Sequence, residues 1–117
     1  MGITHPQLVQ ALAKPGADIV ATLTAEDAHS LHMAVGIAGE AGELLDAIKK
    51  AAIYRKPIDR ENVVEELGDL EFYMEGLRQG LGITRHEVLE HNIAKLSKRY
   101  SSGTYSNQQA QERADKV

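Results

Sequence analysis

Two short acidic motifs carry the chemistry open to this sequence. Glu40-Ala41-Gly42-Glu43 and Glu66-Leu67-Gly68-Asp69 each set two carboxylates three residues apart. On a helix that spacing puts both on one face, one turn above the other. Two antiparallel helices presenting such faces would converge four carboxylates. Left bare, the four would repel one another. Around a hard divalent cation they form the oxygen-rich shell that Mg²⁺ or Mn²⁺ requires. Glu66, Asp69 and Tyr73 border the apolar stripe of their own segment instead of opposing it, which places them between helices. The ordinary alternative for acids at helical spacing is a solvated face or a pairing with Lys one turn on. Glu65, Glu71 and Glu75 are assigned to it, and Asp46, one turn beyond Glu43, is a reserve ligand.

Other site chemistries are excluded or weakly supported. The chain has no cysteine, so thiolate metal sites, disulfides and cysteine nucleophiles are ruled out. Of its five histidines, His86 and His91 are five apart, not the four that aligns two imidazoles on one helix face. His29 and His32 share a face and are read as surface or interface residues.

The elements that must position the acids are helical. Thr4 and Gln7 have capping-box spacing for a short first helix that Lys14-Pro15-Gly16 ends. Thr24, followed by Glu26 and Asp27, opens a long segment reaching about Tyr54. Gly36, Gly39 and Gly42 lie within it. Each costs a helix up to about 1 kcal/mol relative to Ala, so they imply a bend or very close packing. Asp59 caps the next helix, whose Val63, Leu67, Leu70, Met74, Leu77 and Leu81 recur in steps of four and three as a buried seam, and Gly80-Leu81-Gly82 stops it. Thr84 and Glu87 repeat the capping-box spacing and start a helix to about Tyr100 with Lys95, Lys98 and Arg99 near its C-terminal end. From Ser101 to Val117 the chain is polar, a loop or arm with a weak helix over 108–116. No segment alternates as a strand does, and no repeat is present. The expected fold is all-α and four-helix-bundle-like, a single domain over 1–117 with 101–117 as a polar C-terminal arm.

Composition narrows the function classes further. Of 117 residues, 43% are hydrophobic and 26% charged, a balance that folds. The net charge of -4 argues against a polynucleotide partner but leaves a small phosphorylated ligand open, since that needs only a few placed cations. No apolar stretch approaches the roughly 20 residues that cross a bilayer, and no secretory pattern opens the chain, so no membrane partner and a cytoplasmic location are expected. Phe72, the single phenylalanine, points away from the leucine stripe, which suits a subunit interface.

Gly39-Glu40-Ala41-Gly42-Glu43-Leu44 and Glu65-Glu66-Leu67-Gly68-Asp69-Leu70 resemble the ExxE and ExxD signature of the MazG-like all-α NTP pyrophosphatases. Asn92-Ile93-Ala94-Lys95-Leu96-Ser97-Lys98-Arg99-Tyr100 is similar to that family's later motif, whose Asn, Lys and Arg side chains face nucleotide phosphates. The resemblance covers roughly residues 30 to 105. One departure is that many relatives carry two adjacent acids where this chain has Gly39-Glu40.

The resemblance implies a metal-dependent pyrophosphohydrolase. Glu40, Glu43, Glu66 and Asp69 would be the catalytic metal ligands for Mg²⁺, with Mn²⁺ able to substitute, while Asn92, Lys95, Arg99 and Tyr73 would bind substrate. Water would attack a nucleoside triphosphate to give monophosphate and pyrophosphate. Lys95 and Arg99, four apart, would hold phosphate oxygens, the Arg in bidentate fashion. Family members assemble as homodimers or homotetramers. Tyr100, Tyr105 and Arg113 are candidates for base recognition, and a similarity of the Tyr105 to Lys116 tail to phage-type relatives favours dGTP or dATP. Two alternatives accompany this reading. One is phosphoribosyl-ATP pyrophosphohydrolase, which shares the fold and the acids. The other is a non-catalytic, metal-binding helical dimerisation or regulatory module.

Overall fold

The computed structural model describes residues 2–116, an all-α chain with no strand among them. Helix α1, His5–Leu12, starts at the expected box: Gln7 N donates to Thr4 Oγ1 and Thr4 N to Gln7 Oε1. A short helix not expected from sequence, α2, Gly16–Thr22, follows directly on Pro15, whose fixed φ feeds the first turn. Helix α3, Ala25–Ala52, is held at its start by a reciprocal box between Thr24 and Asp27, with Lys49 and Lys50 in its last turn. Helix α4, Arg60–Leu81, begins where Asp59 Oδ1 accepts from Asn62 N and ends at Gly82, whose φ of 68° is the left-handed stop that glycine supplies without strain. Helix α5, Arg85–Arg99, is capped by Thr84, which accepts from Glu87 N at 3.1 Å. The polar arm is more ordered than its composition suggests. Helix α6, Asn107–Glu112, and a 3₁₀ turn over Ala114–Lys116 fold back against α5.

The principal packed unit is the hairpin of α3 and α4. Its register is set by three close approaches: His29 lies over Gly80, Met33 over Gly76, and the Tyr73 ring over Gly36. In each case a Cβ on the glycine would collide with the facing side chain, so the helices approach more closely than larger residues allow. Positions advance along α3 as they retreat along α4, which makes the pair antiparallel. His29 Nε2 also donates to the Gly76 carbonyl at 2.8 Å, tying the same end of the seam together. The glycines of α3 thus divide by role. Gly36 is a close-packing position within the chain, whereas Gly39 and Gly42 face open space, and the helix runs through all three unbroken.

The seam is not the leucine stripe. α4 meets α3 through the neighbouring row of Glu66, Tyr73, Gly76 and Gly80, and the stripe beside it is only partly covered, with Leu67 47% and Leu81 55% exposed. Small residues let two backbones close on each other, so the glycine row outcompetes the bulkier one for the intrachain contact. Met33 is the only buried hydrophobic residue among those described. The radius of gyration is 20.3 Å, against about 13 Å for a compact chain of this length. No described helix is long and apolar enough to cross a membrane.

Candidate metal centre

Glu40 and Glu43 project from the middle of α3, and Glu66 projects from α4 across the seam. One carboxylate oxygen from each lies within 4.8 Å of the others. An ion with ligands at about 2.0–2.1 Å holds neighbouring oxygens roughly 3 to 4 Å apart, so the trio needs little adjustment to become a coordination set. A second observation supports the fit. Oε2 of Glu40 and Oε2 of Glu66 are both buried with no hydrogen-bond partner, and buried carboxylate oxygens without a donor are costly unless a cation or proton satisfies them. Without a cation the group with the strongest claim on a proton is Glu66, whose carboxyl is raised to about 7. Its contact with the Glu40 carboxyl is the largest cause, followed by burial and the charge of Glu43.

Asp69 stands apart from the trio. It lies four residues back from Tyr73, as Glu40 lies four on from Gly36, so the register sets the two level across the seam. Its side chain is nevertheless exposed. Asp46, the reserve ligand, pairs with Lys50 at 3.0 Å on the surface. Glu75 accepts from Arg78 and Gln79, as a solvated-face acid does. Tyr73 forms the wall beside the acids: its ring meets His32 and Phe72 edge-on at centroid distances of 6.3 and 5.2 Å. The sequence reading missed the part that His29, Gly76 and Gly80 play in fixing this wall. The signal was available in the glycines, four residues apart on the face that carries Tyr73.

The cationic residues sit on α5, which packs against the C-terminal turn. Asn92 is exposed and Lys95 half-buried. Arg99 is already engaged, donating from Nε to Asp115 Oδ1 at 2.8 Å and from Nη2 to Oδ2 at 3.3 Å. Asp115 was not singled out in the sequence, since a lone acid in a polar tail carries no periodic signal. Nearby, a cavity of about 400 Å³ is lined by Leu96, Ser97, Tyr100 and Tyr105 among others. Tyr100 and Tyr105, both candidates for base recognition, face each other with ring centroids 5.6 Å apart. Arg113 has a left-handed backbone, φ 50°, at the end of α6.

A family model described as the MazG nucleotide pyrophosphohydrolase domain matches residues 28–103, a span that includes both acidic motifs and the α5 cations. The Gene 37 protein of Mycobacterium phage L5 is 29% identical over 76 residues, 62% of this chain and 67% of that protein. No solved structure gives a significant match.

Proposed function

Because the chain belongs to the MazG nucleotide pyrophosphohydrolase family, we propose that it cleaves nucleoside triphosphates between the α- and β-phosphorus, water adding to phosphorus and pyrophosphate leaving. The observation that carries the proposal is the three-carboxylate set of Glu40, Glu43 and Glu66, with its two buried, unpartnered oxygens. These residues would hold Mg²⁺, or Mn²⁺ in its place, with Asp69 turning in from its level beside Glu40 as a fourth ligand. A divalent ion bound there supplies charge neutralisation for the phosphates and Lewis acidity at the reacting phosphorus. The chain's own contribution is placement. The Gly36–Tyr73 and Gly76–Met33 approaches hold the two acidic faces at fixed height, so the cluster is organised before substrate arrives. Tyr73 closes one side, and Asn92, Lys95 and Arg99 on α5 are the groups that take phosphate oxygens. Purine deoxynucleotides, dGTP and dATP, are the preferred substrates in this reading.

The same reading includes self-association into a homodimer or homotetramer, in a cytoplasmic protein whose residues 1–117 form one domain. Support comes from surface area. The chain exposes 9441 Å², whereas a compact monomer of its size exposes about 6,300 Å². An excess of roughly 3,000 Å² per chain is at least what one partner contributes to a large obligate interface. The hairpin carries exposed apolar side chains for a second copy to cover: Leu67 and Phe72 on α4, and Leu31, Val35 and Leu45 on α3. A two-helix hairpin from each of two copies makes a four-helix bundle.

The test is release of pyrophosphate and monophosphate from a panel of NTPs and dNTPs, with phosphoribosyl-ATP included, in Mg²⁺ or Mn²⁺. Metal-dependent pyrophosphate release that ranks purine deoxynucleotides first is the expected result. Binding of metal without turnover on any member of the panel overturns it.

A further inference from the structure

Arg99 and Asp115 form a side-on, two-bond pair, and their side chains are only 16% and 5% exposed. The surroundings are strongly cationic. Lys95 lies one turn before Arg99, and its charge also acts on Asp115, whose carboxyl is held below the usual range chiefly by the Arg99 hydrogen bond. A cavity of about 350 Å³ beside the pair is lined by His91, Ala94, Lys95, Lys98, Asp115 and Lys116. Asp115 is thus the single carboxylate in a wall of three lysines and a histidine. To a guanidinium fork, a carboxylate and a phosphate present the same pair of oxygens at the same spacing.

We propose that Asp115 is an internal stand-in for substrate phosphate, filling the Arg99 fork until a polyphosphate chain displaces it together with the C-terminal 3₁₀ turn. The proposal rests on the reading that α5 holds phosphates. It makes Asp115 an internal competitor that lowers the affinity of every phosphate ligand needing the Arg99 fork. A ligand must outcompete a carboxylate that is already in place and tethered by a short segment. A monophosphate carries at most about two negative charges and competes poorly. A triphosphate carries more and reaches Arg99, Lys95 and Lys98 together, so it wins. After cleavage the remaining monophosphate loses that advantage, and return of Asp115 assists its departure.

The experiment titrates the full chain, free of divalent metal, with inorganic tripolyphosphate and with inorganic phosphate by calorimetry, for wild type and Asp115→Asn. The expected result is tripolyphosphate binding about fivefold tighter in the variant, with inorganic phosphate strengthened by no more than the same factor. In wild type, tripolyphosphate is expected to speed amide hydrogen exchange over 107–116, a readout that stands even where the variant folds poorly. Unchanged or weaker binding in a folded variant, or a tail that stays protected with tripolyphosphate bound, overturns the proposal. With nucleotide, Asp115→Asn is expected to lower KM without raising kcat, whereas loss of a merely structural anchor raises KM. A tripolyphosphate response without turnover of any nucleotide keeps the displacement and sinks the hydrolase reading; turnover without that response does the reverse.

Discussion

Glu40 and Glu66 face each other across the α3–α4 seam, and each turns a buried carboxylate oxygen into it that no protein donor meets. The relationship sets the pH behaviour of the metal-free protein. Glu66 binds its proton more tightly in the folded chain, at about 7 against an ordinary 4.5. Its contribution to stability is therefore complete below the ordinary value and is lost as pH climbs through 4.5 to about 7. In a chelator, thermal melts of wild type are expected to fall relative to Glu66→Gln over that window, and added Mg²⁺ is expected to cancel the fall. Parallel melting curves for the two proteins across the window would contradict it.

Metal affinity should follow the same proton. Binding of Mn²⁺ has to displace it, so affinity is expected to strengthen as pH rises toward about 7 and then to level off. Calorimetry in buffers of different ionisation enthalpy reads the released proton directly. A pH-independent affinity would show that Glu66 is not a ligand.

Removing one member of the trio should cost more metal binding than removing Asp69. Glu43→Gln and Glu66→Gln are expected to abolish tight Mn²⁺ binding and to lower turnover by at least about a hundredfold, the scale of a lost electrostatic contact in a reacting site. Asp69→Asn, outside the close set, is expected to lose a similar share of turnover while keeping most of its Mn²⁺ affinity. Circular dichroism should show intact helices in all three.

The glycines give a packing test with opposite signs. Gly36→Ala drives a methyl into the Tyr73 ring, and overpacking of this kind costs about 1–3 kcal/mol. Gly76→Ala meets the Met33 sulfur, which can swing away, so its cost is smaller. Gly39→Ala and Gly42→Ala meet nothing within the chain and by helix propensity alone would stabilise it by up to about 1 kcal/mol. If a second copy packs there, both variants are expected instead to weaken self-association in sedimentation experiments. Thermal melts over a hundredfold range of concentration separate the two effects.

Much of this arrangement was legible from residue types. The Thr4 box, the Thr24 and Asp59 caps and the Gly82 stop each use a short-range bond that spacing reveals, whereas at Thr84 only half of the expected box forms, Glu87 N donating to Thr84 Oγ1. Two i, i+3 pairs on antiparallel helices pointed to four converging carboxylates; Glu40, Glu43 and Glu66 come together, and Asp69 stays outside the close set. Which stripe of α4 would face α3 was not legible. The leucine row has the stronger hydrophobic signal, but the choice was made by how closely backbones approach at Gly36, Gly76 and Gly80, a property of both helices together. Asp115 escaped for a similar reason, because its partner lies 16 residues away and no period links them.

The matched steps along α3 and α4 also restrict how the chain can change length. From the Tyr73–Gly36 approach to the acids, the two helices act as a pair of rulers read against each other. One residue inserted between Gly36 and Glu40 rotates the downstream face by about 100° and swings Glu40 and Glu43 out of the seam, while the His29 end is left in place. Only an addition of about seven residues, two whole turns, returns them to the same face, and then only with an equal addition before Tyr73. Natural length variation in such a protein is thus expected in the connection over 53–59, in the segment ahead of α3 and beyond α5, and not in the stretch of helix between the ring and the carboxylates.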